Sequence, residues 1–433
     1  MVPVYSIVPF ILMLLSIAII PIVSEKFWES NRNKLIISLV LAIPTIIWLV
    51  LNGLTYELEH ALLFDYVPFI ILLFSLFVVT GGIFVDGDIE ATPRNNSILL
   101  SIGTVLASFM GTTGAAMLLI RPLIKINSER KHKAHSVLFF IATVANAGGL
   151  LTPIGDPPLF MMYLRGVPFE WFFRLAPEWL FTNGLLLIIY YFVDKYYYSK
   201  EDKENLKKDK TELRPIKILG NLNFLWLIGI VLAVAFINQN HFPIFKENHY
   251  LAFIREAVIL VFAALSMMLT KKSIREANNF NWHPIEEVAF LFFGIFATMV
   301  PAILYLEHHA SEFGISSPIS FYYSTGLLSG FLDNTPTAVT FYSLALGLVS
   351  QFPEQFVGMD LIAGIPVKLM IAISLSSVFF GGMTYIGNGP NFMVKAIAEK
   401  EGVPMPHFFG YMYKFSLICL LPILILVQLL FVR

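Results

Sequence analysis

Residues 149–162 read GLLTPIGDPPLFMM, and residues 381–394 read GGMTYIGNGPNFMV. The two stretches align without a gap: Gly149 on Gly381, Thr152 on Thr384, Ile154–Gly155 on Ile386–Gly387, Pro158 on Pro390. Each lies in a long apolar segment, 136–164 or 367–397. Glycine and proline interrupt a helix there, and Asp156 places a carboxylate at the interruption. Irregular backbone at membrane depth survives only where it is buried in protein or lines a cavity. One such break could serve packing alone. Two matched breaks point to a site.

A second pair of segments repeats as well. FMGTTGAA (109–116) aligns on FLDNTPTA (331–338), with Thr113 against Thr335. The segments around them, 96–126 and 319–349, are long enough for two short helices joined by a small polar tip. We read both as re-entrant hairpins. Each half of the chain then runs span, hairpin, broken helix, span.

Composition sets the surroundings. The chain has 433 residues, 57% hydrophobic and 14% charged, whereas soluble domains carry about 25% charged residues. The expected fold is an all-α polytopic membrane protein with about ten transmembrane segments. Simple spans fit near 5–23, 35–54, 66–85, 178–198, 218–237, 251–270, 284–306 and 411–432. The first is read as a retained span, because it lacks a basic leader and a cleavage site. A net charge of −1 gives no reason to expect nucleic-acid binding. Cys419 is the sole cysteine, which excludes an intrachain disulfide and Cys-rich metal centres.

Charge fixes an orientation. With both termini outside, the inside loops carry 21 Lys and Arg and the outside segments six, as the positive-inside rule requires. Reading either hairpin as a full span would spoil that bias. The first hairpin then opens inward and the second outward, an inverted-topology repeat of the kind that builds secondary transporters. The organisation is scaffold spans 1–65, a first repeat 66–198, a cytoplasmic linker 199–217, scaffold spans 218–283 and a second repeat 284–433. The linker is expected to be solvated, as is the loop FVDGDIEATPRN (84–95).

At these residues the sequence resembles the ion-transporter superfamily. That group holds sodium/proton antiporters of the NhaD type, arsenite pumps, citrate carriers and divalent anion/sodium symporters. NAGGLLTPIGDPPLF (146–160) is similar to its broken-helix motif, GTTGAAMLLIRP (111–122) to its inner hairpin tip and LDNTPTAV (332–339) to its outer one. GMTYIGNGPNFMVKAIAEKEGVPMP (382–406) is similar to bacterial sequences grouped with sodium/proton antiporters. The resemblance runs from about 66 to 425. In NhaD-type sequences the Gly-Asp is followed by hydroxyl residues. Here Pro157 and Pro158 follow, as in the arsenite, citrate and anion branches. The resemblance implies a homodimer in a bacterial inner membrane, with elevator-type movement of the hairpins and broken helices.

The intramembrane acids suggest the chemistry. Asp156 in the first break and Asp333 in the second tip are functional candidates by default. No Lys, Arg or His lies in either break motif or either tip. Oxygen ligands for a hard monovalent cation are available from Thr112, Thr113, Asn146, Thr152, Asn334, Thr335, Thr384, Asn388 and Asn391. A carboxylate held away from water takes up a cation or a proton. If the transport part moves only when neutralised by one or the other, exchange of sodium (or lithium) for protons is obligatory. The alternative is a sodium- or proton-coupled carrier of a small anion, a carboxylate or arsenite. Both acids also fit the N-cap of a following helix, a role compatible with ion binding. Nothing in the sequence suggests an enzyme or a cofactor. Sodium is expected only as the transported or coupling ion.

Overall fold

The computed structural model describes residues 2–211 and 213–433. Among these, eight helices are long and apolar enough to cross a membrane: Val4–Val23, Asn31–Leu51, Thr55–Thr80, Ala134–Leu151, Phe169–Tyr198, Tyr250–Leu269, His283–His308 and Phe408–Phe431. Two shorter apolar helices are Leu222–Phe236 and Val367–Met383. The protein is therefore a multi-pass, mostly α-helical membrane protein.

Both hairpins begin with the same local device. Thr92 Oγ1 accepts the Asn95 N–H at 3.2 Å, and Pro93 opens the helix Pro93–Met110. Ser317 and Ser320 form a capping box around Pro318, at the start of Pro318–Phe331. Proline suits a first helical turn because its missing N–H would have no partner there. The first hairpin reverses at Gly111, whose φ of 79° favours glycine, and returns as Thr112–Ile126. The second reverses through Leu332 and Asp333 and returns as Asn334–Gln351.

The breaks have one backbone design. Ala134–Thr143 gives way to a tight turn at Ala147–Leu151, and helix resumes as Pro157–Leu164. Val367–Phe380 gives way to Gly381–Met383 and resumes as Gly389–Lys400. In the first break a Cβ on Gly155 would lie 2.0 Å from the Gly149 carbonyl oxygen. In the second, a Cβ on Gly387 would lie 2.6 Å from that of Gly381. The aligned glycines thus let the chain fold back on itself in both copies. Aligned threonines then hold each break to its hairpin. Thr152 Oγ1 donates to the Ser108 carbonyl, and Thr384 Oγ1 donates to the Gly330 carbonyl at 2.6 Å.

The halves interlock crosswise. The returning arm Thr112–Ile126 packs on Gly389–Lys400, and the returning arm Asn334–Gln351 packs on Pro157–Leu164. Each hairpin therefore supports the half-helix of the other copy. Outside this centre, Asn31–Leu51 packs on His283–His308, and Val67–Thr80 packs on Phe253–Leu269 and Leu222–Phe236.

The linker departs from expectation. Residues 199–217 include the helix Lys203–Thr211 and most of a strand β2 (Arg214–Leu219), which pairs antiparallel with β1 (Phe84–Asp88) in the loop expected to be solvated. Buried Asp209 accepts the Ala91 N–H at 3.0 Å and ties the two segments further. The β-branched run around Ile216 and Ile218 favours a strand. A reading weighted on charge overlooks it.

Candidate ion and substrate site

Asp156 is the point at which both hairpins and both breaks meet. It is fully buried. Oδ1 accepts the Thr112 hydroxyl at 2.7 Å and the Asn388 amide at 3.1 Å, and Oδ2 accepts the Asn334 amide at 2.7 Å. Thr112 comes from the first tip, Asn334 from the second and Asn388 from the second break. The double proline helps to keep the carboxylate available to them, since the remaining Leu159 N–H goes to the Asp156 main-chain carbonyl. An N-cap side chain ordinarily accepts an N–H from the second or third helical residue. Pro157 and Pro158 remove the first two N–H groups, and the Asp156 side chain makes no capping bond.

A chain of amides orients the donors. Asn146 Nδ2 donates to Asn391 Oδ1 at 2.7 Å and to the Ile141 carbonyl at 2.8 Å. Its Oδ1 is thereby left to accept Asn388 Nδ2 at 3.2 Å. Asn391 Nδ2 donates to the carbonyls of Gly381 and Thr384 at 2.8 and 2.9 Å. On the other side, Thr335 Oγ1 donates to Asn334 Oδ1 at 3.3 Å and so turns the Asn334 amide nitrogen toward Asp156. These buried side chains are mutually satisfied, and a network satisfied in this way specifies one arrangement.

The expected oxygens therefore divide. Thr112, Asn334 and Asn388 touch Asp156, while Asn146 stands one bond behind and Asn391 two. Thr152 and Thr384 bind main-chain carbonyls of the hairpins instead. Asp333 Oδ1 accepts the Thr335 N–H at 3.0 Å, which is a capping bond. Asp333 and Thr113 nevertheless line the adjoining cavity.

That cavity has a volume of about 530 Å³. Its floor is Met110–Gly114, Gly155, Pro157, Asp333 and Asn388–Pro390. Leu73, Phe77, Leu291 and Phe292 form apolar walls, and it extends to Glu29, Lys34, His283 and Glu287 at helix ends. Lys34 is almost wholly buried, 2.6 Å from Glu287. Gly111, Asp156, Asp333 and Asn388 each stand at the N-cap position of a helix, so four helix N-termini converge at the floor. Each carries partial positive charge. The result is a buried carboxylate held by neutral donors and dipoles, a setting suited to binding ions.

Sequence reasoning missed the opposite end of Pro157–Leu164. Arg165 Nη2 lies 3.1 Å from Asp65 Oδ2, with side-chain exposures of 14% and 7%. Nearby, Arg255 Nη1 donates to the Tyr163 hydroxyl at 3.0 Å. The available signal was a lone acid in the apolar run ALLFDYVPF (61–69).

Comparison with known proteins agrees with a transport role. The chain is 24% identical over 335 residues to "Uncharacterized transporter MT2759" of Mycobacterium tuberculosis (strain CDC 1551 / Oshkosh), covering 73% of this chain and 72% of that protein. The same values relate it to "Uncharacterized transporter Rv2685" of Mycobacterium tuberculosis (strain ATCC 25618 / H37Rv). A family model described as "Putative citrate transport" matches residues 1–432, and the chain belongs to that family of transport proteins.

Proposed function

We propose that this protein is a secondary active transporter that carries a small carboxylate anion together with cations. The observation that supports this reading best is the convergence on Asp156, just behind the floor of a cavity far larger than a bare monovalent ion needs. Helix N-termini at the floor would face the anion. The charged side chains along the cavity are Glu29, Glu287 and Asp333 against Lys34, with buried Asp156 behind. An anion entering such an acidic space must bring cations with it, which gives a physical reason for coupling. The family's description favours a carboxylate such as citrate as cargo.

In this reading Asp156 sets the coupling. Its partners are neutral, so its charge stays uncompensated until a cation or a proton arrives. Movement of the hairpins and half-helices as one body, against the helices that wall the cavity, then occurs only in the neutralised state. The matched contacts in the two halves support an inverted repeat and an elevator-type motion, with the cavity reaching the face that carries the basic loops. A homodimer is part of the same proposal.

The test is uptake of labelled citrate into proteoliposomes under imposed sodium or proton gradients. Accumulation that needs one gradient and disappears in Asp156→Asn is expected. Absence of uptake for citrate and for smaller di- and monocarboxylates would overturn the anion reading. A second reading, sodium (or lithium) for proton exchange, is favoured by two carboxylates with no base beside them. It predicts that sodium alone collapses an imposed proton gradient without any anion.

A further inference from the structure

The linker strand exposes aliphatic side chains where its charges lead one to expect water. Every residue of β2 is exposed. Ile216 and Ile218 are 48% and 44% accessible, and Leu213 just before the strand is 50%. On the spanning helices such side chains face lipid. Here they sit beside a helix that carries Lys203, Lys207, Lys208 and Lys210.

Strand pairing sorts the two faces. Val85 pairs with Ile218 and Asp86 with Lys217. Side chains alternate along a strand, so Val85, Ile216 and Ile218 share a face, and Asp86 and Lys217 occupy the other; beyond a register shift Arg214 pairs with Asp88. The polar face is already engaged. Lys125 of the first hairpin lies 2.8 Å from Asp86, and its hydrogen bond holds the Asp86 carboxyl below the usual carboxylate range. The ribbon also lies level with the helix ends. Asn223, in the first turn of Leu222–Phe236, donates to the Gly82 carbonyl at 2.9 Å, two residues before β1. The ribbon therefore sits level with the start of the apolar helix Leu222–Phe236.

We propose that this face docks on the headgroup layer of the surrounding bilayer, and that the linker lysines beside it select acidic phospholipid there. Aliphatic side chains beside a basic helix match a surface that is apolar below and anionic above. The ribbon joins the two passages of the chain between the walls and the hairpins: β1 leads from Val67–Thr80 into the first hairpin, and β2 leads from Ala176–Tyr198 into Leu222–Phe236. Docked on lipid, it gives both passages a common fixed point at the membrane surface.

The experiment needs no knowledge of the cargo. A Cys419→Ser, Ile218→Cys chain is labelled with an environment-sensitive dye. It is placed in nanodiscs of phosphatidylcholine alone or of an equal mixture with phosphatidylglycerol. The expected result is blue-shifted emission, quenched by lipid bearing a nitroxide near the headgroup and more strongly so with phosphatidylglycerol. Replacing Lys207 and Lys208 by Gln should weaken the phosphatidylglycerol-dependent part by about fivefold per charge removed. Gel filtration checks that each variant stays folded, and the same dye on Lys203→Cys reports the neighbouring basic helix. Water-like emission at residue 218 that ignores nitroxide lipid overturns the proposal. So does quenching that is indifferent to lipid charge.

Discussion

The two breaks share a backbone and differ in chemistry. Gly149 and Gly155 approach as Gly381 and Gly387 do, and Thr152 and Thr384 grip equivalent carbonyls of the two hairpins. At the helix restart, one copy has Asp156 before two prolines and the other has Asn388 before Gly389 and Pro390. One side chain only accepts. The other donates to it, at 3.1 Å. Two matched breaks thus carry an asymmetric charge, with one acid at the restarts, served by the other restart and by both tips.

The largest effect expected from breaking this asymmetry is on Asp156. Hydrogen bonds to a charged group contribute about 1.5–3 kcal/mol each. Asp156→Asn keeps the shape but loses the charge that three donors address, so coupled transport should fall by about 100-fold or more. Asn388→Asp places a second carboxylate against the first and should be as damaging. The double exchange, Asp156→Asn with Asn388→Asp, restores one acid and two amides. Partial recovery of gradient-driven uptake in the exchanged protein would mean that the restarts are equivalent. No recovery would mean that the acid must stand on the first half-helix.

Next come the glycines. A methyl at Gly155 meets a main-chain oxygen at 2.0 Å, which no side-chain rotation relieves. Gly155→Ala should cost more than about 3 kcal/mol, the upper end for overpacking. Gly387→Ala, at 2.6 Å, should cost less. Thermal unfolding in detergent, followed by fluorescence-detected gel filtration, ranks the two. The reverse order would show that the second break is the tighter one.

The half-helices also end differently. Pro157–Leu164 is followed by Arg165, paired to Asp65 on a different helix, whereas Gly389–Lys400 carries Lys395 paired within the helix to Glu399 at 2.9 Å. Only the first pair joins the centre to a helix outside it, at the end remote from Asp156. Asp65→Arg should shift the balance between the two access states by about tenfold, within the range usual for conformational coupling. The double variant Asp65→Arg with Arg165→Asp should recover most of it. Lys395→Met should change the balance little. Maleimide labelling of a cysteine at Val288, on the cavity wall, in a Cys419→Ser background reads that balance from each side of the membrane.

Much of this centre could be read in the sequence because membranes restrict the options. Glycine, proline and an acid inside apolar runs have few explanations, and the gapless match of 149–162 on 381–394 located both breaks. Thr112, Asn334 and Asn388 were candidates for the same reason. Spacing could not reveal which oxygens converge. Thr152 and Thr384 have the same side chain as Thr112, yet they bind carbonyls formed only once the hairpins pack. The Asp65–Arg165 pair spans 100 residues of sequence, and its geometry exists only in the folded protein. The ribbon was obscured by charge, since the lysines around it dominate any reading of composition.

The smallest effect separates the two tips. Gly111 caps the first returning arm by its backbone shape, while Asp333 caps the second with its side chain, at 3.0 Å from the Thr335 N–H. Asn caps a helix about as well as Asp. Asp333→Asn should therefore leave stability within a few tenths of a kcal/mol, whereas Asp333→Ala should cost about 1 kcal/mol. The comparison isolates charge from capping at a residue that also faces the cavity. If Asp333 only caps, Asp333→Asn transports normally and Asp333→Ala is merely less stable. If its charge also attracts the coupling cation, Asp333→Asn raises the cation concentration needed for half-maximal uptake by about tenfold while its melting temperature stays put. That second outcome makes the two tips functionally unequal, as the two restarts are chemically unequal, and puts Asp156 and Asp333 both on the cation's path.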